Sequence, residues 1–373
     1  MKRRDLLLAA GAAASTGLPR LALAANTAIV FGQSASLSGA QARYGADVRD
    51  GIQAAFAAAN RADPKGPRFE LQVLDDGGHK DRCQANVEKL LADGSAALIG
   101  LTSGAAAEAC LPLVDKAQAA LIGTASGNMG IRSAASGAAV HVRAGYDVEY
   151  RRMVGYAKEF GFKRIGYVHL KDTSPANLRA MEDALSGVGV KPSVVVPLDR
   201  NAGSLLPVAQ QLLAERLDCV MFTTNAAPVL SIMEHMHTGG YPGMHFSSSF
   251  AGQDLIEGVV ATRRSVVMSL VVPRPSALGV GVVGQCKADL LAAGGSATLG
   301  VTTLEGYIAG RVAVDAARAA LKAGGASRSR LREVLTTLRT DLGGYRVAYA
   351  PDNPHGSQYV ETVVVDRYGR IVG

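Results

Sequence analysis

The sequence predicts an α/β protein built as two doubly wound lobes joined by three hinge crossovers. Short apolar runs alternate with helical periodicity from residue 28 to 338, the rhythm of parallel sheets covered by helices. The 373 residues, 48% of them hydrophobic, exceed what one core usually serves. Glycine, serine and threonine collect where the apolar runs end, as expected of βα turns.

The first series opens with a strand over 28–31, the small-residue loop Gly32-Gln33-Ser34-Ala35-Ser36-Leu37-Ser38-Gly39, and a helix over 47–60. A strand over 69–74 ends in Asp75-Asp76-Gly77. A helix over 82–92, a buried strand over 96–100, a helix over 105–117 and a strand over 119–123 follow. The second series reads helix 147–160, strand 164–169, helix 175–186, strand 193–197, helix 205–215, strand 217–223 and helix 228–237. Strands over 245–248 and 266–272 complete it. Helices over 282–293, 304–323 and 328–338 come next, and two extended runs, 345–349 and 359–366, close the chain.

Neither series is complete alone. The late helices are expected to cover the first sheet and the terminal runs to extend the second. The chain then crosses between lobes near 144, 273 and 344. Lobe 1 is 25–143 with 274–343, and lobe 2 is 144–273 with 344–373. A triple connection of this kind makes a hinge beside a cleft.

Residues 1–24 read as a signal peptide. Lys2-Arg3-Arg4-Asp5 is a charged start, and Ala22-Leu23-Ala24 offers small residues at the cleavage spacing. The apolar run over 6–14 is shorter than the about 20 residues that span a bilayer. The paired arginines before Asp5-Leu6-Leu7 are similar to a twin-arginine signal. No cysteine follows Ala24, so no direct membrane anchor is expected. Of the net charge of +7, Lys2, Arg3, Arg4 and Arg20 against Asp5 account for +3, leaving +4 on the exported chain. Those charges are scattered, aromatic residues are 5% and tryptophan is absent, which argues against a nucleic-acid surface.

The four cysteines, Cys83, Cys110, Cys219 and Cys286, form no CxxC pair and lack zinc spacing. Cys83 and Cys110 fall on helices of neighbouring βα units and are the candidate disulfide; Cys219, in an apolar strand, reads as a buried thiol. Gly279-Val280-Gly281-Val282-Val283-Gly284 fits the dinucleotide fingerprint but lacks a strand directly before it. His235, His237 and His245 read as a solvated helix end, because residues 235 and 237 point to different faces. Neither GxSxG nor GxxxxGK occurs. No metal, cofactor or catalytic constellation is expected, so the chain does not read as an enzyme.

Ser34-Ala35-Ser36-Leu37-Ser38-Gly39, Tyr44-Gly45, Asp75-Asp76-Gly77, Ala97-Leu98-Ile99-Gly100, the run from Leu121 to Gly127 and Arg143 resemble, in order and spacing, the type I periplasmic binding proteins of the branched-chain amino acid transporter family. Leu304-Glu305-Gly306-Tyr307-Ile308-Ala309-Gly310-Arg311 and Asp341-Leu342-Gly343-Gly344 are similar to one subgroup of it. The resemblance covers the whole exported chain. It implies a periplasmic protein without a cofactor that binds a small solute between its lobes and delivers it to the permease of an ABC importer in the inner membrane. A sensor docking on a receptor is the alternative. By the resemblance, Thr102, Ser103, Ala125 and Ser126 hold a solute carboxylate, Tyr44 covers it, and Asp147 lies near a ligand ammonium.

Ligands of open α/β sheets sit outside the carboxyl ends of the strands, and small residues there let backbone N–H groups approach an anion. The loops bearing Ser36, Thr102-Ser103 and Thr124 to Gly127 meet that description. Matching second-lobe loops carry Asp172-Thr173, Thr224-Asn225 and Ser248-Ser249-Phe250. Relatives that bind amino acids place tyrosines in the first two of those loops and an acid in the third, and this chain has Thr173 or Ser174, Thr224 or Asn225, and Ser249 or Phe250 instead. A desolvated ammonium without a carboxylate is costly. Unless Asp147 or Asp172 supplies that charge, an amine-free acid is the better fit.

Overall fold

The computed structural model describes residues 28–132, 137–200 and 202–373; the expected signal segment lies outside them. The first lobe is a five-stranded parallel sheet, order β2-β1-β3-β4-β5, from β1 (Ala28–Ala35), β2 (Arg68–Asp75), β3 (Ala97–Ile99), β4 (Leu121–Ile122) and β5 (Ala139–Val140). Between them lie α1 (Ala42–Ala62), α2 (Lys80–Ala92), α3 (Gly104–Lys116) and α4 (Met129–Arg132). β1 pairs with β2 from Ala28↔Arg68 to Ala35↔Asp75, which brings Asp75 and Asp76 beside the loop that leaves β1.

The second lobe begins with α5 (Tyr146–Glu159) and continues through β6 (Ile165–Leu170), α6 (Pro175–Ser186), β7 (Val194–Leu198), α7 (Leu206–Ala214), β8 (Cys219–Thr223), α8 (Ala226–Thr238), β9 (Met244–Ser247), α9 (Gly252–Thr262) and β10 (Val266–Leu270). The chain then returns through α10 (Gly281–Ala293), α11 (Val301–Lys322) and α12 (Arg328–Leu335). A hairpin of β11 (Arg339–Asp341) and β12 (Arg346–Ala348) precedes β13 (Glu361–Val365) and β14 (Ile371–Val372). The second sheet has order β14-β13-β10-β9-β8-β6-β7, with β13 antiparallel to β10.

The first lobe is closed by the late helices, as expected. α1 packs against α11 so tightly that a Cβ on Gly51 would stand 2.0 Å from the Thr303 carbonyl, and one on Gly306 would stand 2.2 Å from that of Val48. Phe56 of α1 packs its ring, tilted, against Phe31 of β1 and Phe69 of β2, with centroids 5.2 and 6.1 Å away. Cys83 and Cys110 lie in the smaller core on the other face with Val87, Leu98 and Val114. Both are free thiols, their sulfurs 4.0 Å apart, so the expected bridge is not formed in this structure.

Three further expectations need correction. The run 345–349 does not extend the second sheet: Gly343 and Gly344 adopt positive φ and fold β12 back onto β11. Of the two expected runs, the second alone joins the second sheet, as β13, with β14 paired beyond it. β5 and α9 went unforeseen, because β5 is two residues long and Gly252 and Gly258 weaken the helical signal of α9. His245 is not at a solvated helix end but buried in β9.

Candidate ligand-binding cleft

Each sheet reverses its winding between two central strands, β1 and β3 in the first lobe and β6 and β8 in the second. The loops leaving these strands face each other across a cleft, where such folds bind ligands. In the first lobe the loop after β1 is fixed by acids. Asp75 accepts from the Leu37 and Gly77 backbone and the Ser38 hydroxyl, and Asp76 accepts from the hydroxyls of Ser34 (2.8 Å) and Ser36 (3.0 Å). Burial pulls the Asp75 carboxyl up, but those hydrogen bonds together hold it below the usual range. Across the switch point, the Ser36 N–H donates to Thr102 Oγ1 at 3.0 Å. Ser103 caps α3, accepting from the Ala106 N–H.

Two adjoining hollows occupy the cleft. The larger, about 420 Å³, carries charged side chains on both sides and takes Gly77 to Lys80 and Ser103 from the first lobe and Asp172 and Arg200 from the second. The smaller, about 220 Å³, is mainly apolar and is walled by Tyr44, Ala226, Leu230 and Phe250, with Asp254 at its edge. Ala40, Gln41 and Asn225 belong to both. The Tyr44 hydroxyl donates to the Ala125 carbonyl at 2.8 Å, and burial keeps it well above the usual phenol range, so it stays a donor. Its ring meets Phe250 edge-on at 6.3 Å from the opposite lobe.

The lobes are closed on one another. Arg43 of α1 holds Glu257 of α9 with two hydrogen bonds, at 2.6 and 2.7 Å. Gln253 exchanges hydrogen bonds with Val301 and Thr302 of α11. On the far side the Met129 N–H donates to Asn177 Oδ1, and the Ser174 hydroxyl donates to Glu108.

At the hinge sits a buried charge cluster. Arg143, on the first crossover, donates to Glu149 of α5 at 2.5 Å and to Glu305 of α11 at 3.2 Å. Glu149 also accepts from the Ser249 N–H and from the hydroxyls of Ser249 and Ser269. Burial alone would lower the Arg143 pKa, but Glu305 and Glu149 outweigh it and hold the guanidinium charged. Burial pushes the Glu305 carboxyl up despite Arg143. The Tyr345 hydroxyl reaches the carbonyls of Val142 on the first crossover and Val271 on the second, tying them together.

Of the residues the sequence singles out, Tyr44, Ser103 and Asn225 line the hollows. Ser36, Thr102, Ala125 and Ser126 are buried directly behind them. The Ser126 hydroxyl shares a hydrogen bond with Tyr146 and accepts from the Asn128 N–H. Thr173 turns its hydroxyl to the Leu170 carbonyl, and Ser249 belongs to the hinge cluster. Asp147 is not in the cleft; it pairs with Arg151 and lines a separate groove between α5 and α6. Lys80, Arg200, Gln41 and Leu230 are lining residues that sequence reasoning missed. Lys80 and Arg200 follow the carboxyl ends of β2 and β7, which was the available signal.

A sequence profile of the periplasmic binding protein family matches residues 28–370. No curated protein sequence matches this chain. A substrate-binding periplasmic protein from Ralstonia solanacearum is 23% identical over 92% of this chain and 99% of its own, with a TM-score of 0.85. A possible leucine/isoleucine/valine-binding protein from Rhodopirellula baltica is 23% identical over 93% and 97%, with a TM-score of 0.83. An ABC transporter solute-binding protein from R. palustris, solved with 4-hydroxybenzoate, is 15% identical over 90% and 91%, with a TM-score of 0.75.

Proposed function

This chain belongs to the periplasmic binding protein family, and we propose that it is the extracytoplasmic solute-binding component of an ABC importer, taking a small carboxylate without an obligatory amine. The solute docks in the cleft, the lobes close about the three crossovers, and an inner-membrane permease reads the closed shape. Nothing in this cycle breaks a covalent bond. Binding shifts an open–closed equilibrium by the solute's differential affinity for the closed form. Signal-peptide export to the periplasm is part of the same reading.

The observation that carries the solute class is the pairing of the acids. Asp172 and Asp254, the carboxylates lining the hollows, are each within salt-bridge distance of an arginine, Arg200 and Arg43. Asp172 is committed to Arg200 by two hydrogen bonds, Asp254 stands at the edge of the apolar hollow sharing Arg43 with Glu257, and Asp147 lies elsewhere, so no unpaired carboxylate faces the junction of the hollows. The R. palustris relative solved with 4-hydroxybenzoate, an amine-free acid, agrees with this class.

The test is a thermal-shift screen of the exported chain against aliphatic amino acids and against aliphatic and aromatic acids lacking an amine. A ligand at 100 times its dissociation constant adds about 2.7 kcal/mol to the native state. Stabilisation by acids alone supports the reading; stabilisation by leucine or valine alone refutes the solute class. Ala40→Trp, at the junction of the hollows, is expected to abolish the shift while leaving the unliganded melting temperature in place.

A further inference from the structure

Within the proposed solute-binding reading, the cleft raises the question of where the anion is held. Of the loops that by resemblance cradle a carboxylate, the one bearing Ala125 and Ser126 is already satisfied here. The Ala125 N–H donates to Leu101, the Ser126 N–H to Thr124, and the Ser126 hydroxyl is taken by Tyr146 and Asn128. Thr102 Oγ1 accepts from Ser36, whose own hydroxyl is spent on Asp76. The larger hollow in front of them is different. Lys80, an exposed residue, lines it from the first lobe, and its side chain has no ion-pair or hydrogen-bond partner among the described residues. Arg200 enters from the second lobe, gripped by Asp172 through Nε at 2.8 Å and Nη2 at 3.0 Å. That grip leaves Nη1 directed across the cleft, 3.5 Å from Gln41 Oε1.

We infer that Lys80 and Arg200, one from each lobe, hold the anionic group of a singly charged, amphipathic carboxylate whose apolar body fills the hollow of Tyr44, Leu230 and Phe250. The charge count sets the valence. Two cations face one carboxylate, Asp172, in the larger hollow, so one positive charge is left for the solute. The volumes set the body. An apolar cavity of about 150 Å³ holds benzene, so the 220 Å³ hollow takes one aromatic ring or a short branched chain. The two hollows meet at Ala40, Gln41 and Asn225, which lets one molecule span both. Because the two cations come from opposite lobes, the anion bridges the cleft and favours closure. Asp172 acts as a positioning residue, since its bidentate hold points the guanidinium at the first lobe.

Calorimetric titration of the exported chain with benzoate, phenylacetate and hexanoate, with benzamide as the uncharged isostere and terephthalate as the dianion, tests this. At least one monocarboxylate is expected to bind, more tightly than either benzamide or terephthalate. Lys80→Gln and Arg200→Gln are each expected to weaken that binding by about 10–100-fold, the worth of a charged hydrogen bond. Lys287→Gln, on the outer side of α10, controls for loss of overall charge. Unliganded melting curves establish that the variants fold. Wild-type affinity in both cleft variants overturns the inference while leaving the solute-binding reading intact. Failure of every carboxylate with the wild-type chain overturns both, and preference for terephthalate overturns the charge count.

Discussion

Replacing Glu149 and Glu305 one at a time should give very different results, although both acids touch the same arginine. Arg143 and Glu149 are fully buried, and Glu305 nearly so. One guanidinium cannot neutralise two buried carboxylates. Among the described residues, Glu149 is served by Arg143, the Ser249 N–H and two serine hydroxyls, whereas Glu305 has only the longer Arg143 contacts, at 3.2 and 3.4 Å. Glu149→Gln leaves a buried guanidinium without its close counter-charge and should cost about 3–5 kcal/mol, the usual effect of breaking a buried pair. That is a large share of a total near 5–15 kcal/mol. Burial raises the Glu305 carboxyl and its Arg143 contacts are the longer ones, so Glu305→Gln should cost less than Glu149→Gln, about 1 kcal/mol. The sign with pH follows. A carboxyl whose folded pKa is raised adds stability at low pH that is lost as pH rises through that pKa, and Glu305→Gln should remove this component. The assay is the urea midpoint at unchanged slope, at pH 5 and pH 8. Equal costs for the two variants would refute the division of roles.

Two further outcomes are expected. His245 is buried in β9, its Nε2 makes no hydrogen bond, and burial lowers its pKa to about 4. Its neutral form is favoured by folding, so this stability is present above pH 6.5 and lost as pH falls through 4, about 3 kcal/mol in all; His245→Gln should flatten the wild-type loss of urea midpoint between pH 7 and 4.5. Cys83 and Cys110 lie 4.0 Å apart, and in an oxidising compartment they are expected to bridge, which for a loop of this length is worth about 3–4 kcal/mol. Alkylation of denatured, unreduced protein should then label Cys219 and Cys286 alone, and four labelled cysteines would dismiss the bridge.

The architecture was legible because it is periodic. Strand and loop alternate as the physics of βα units demands, and the loops rich in Gly, Ser and Thr do leave the central strands. What was not legible is side-chain direction within those loops. Asp147 shows why. On α5 the inward phase is Tyr146, Glu149, Tyr150 and Met153, all buried, so Asp147 is turned outward to meet Arg151 one turn on. The helical phase was in the sequence, but the helix start that anchors it was not. Arg200 was hidden for another reason. Its contribution depends on which second-lobe loop faces Gln41, and that follows from the closure angle rather than from local pattern.

The rim of the cleft determines how readily the lobes part. Its ionic contacts, Arg43 with Glu257 and Asp254, are half-exposed pairs, worth about 0–1 kcal/mol each. Outside the buried hinge cluster of Arg143, Glu149 and Ser249, the other contacts across the cleft are single neutral or charge-assisted hydrogen bonds and an aromatic edge. Such rim contacts hold the lobes weakly, and a ligand shifts their closure by its differential affinity; moving from 1:99 to 99:1 takes about 5.5 kcal/mol. If Arg43 acts only as a rim clasp, Arg43→Ala should weaken solute binding by no more than about fivefold, with the loss appearing as faster dissociation. Small-angle scattering of the unliganded variant should show a larger radius of gyration than the wild type, and solute should restore the compact form. A loss beyond about 30-fold is more than an exposed pair can supply. It would place Arg43 against the solute and move the charged end of the site from the Lys80–Arg200 hollow to the edge beside Asp254.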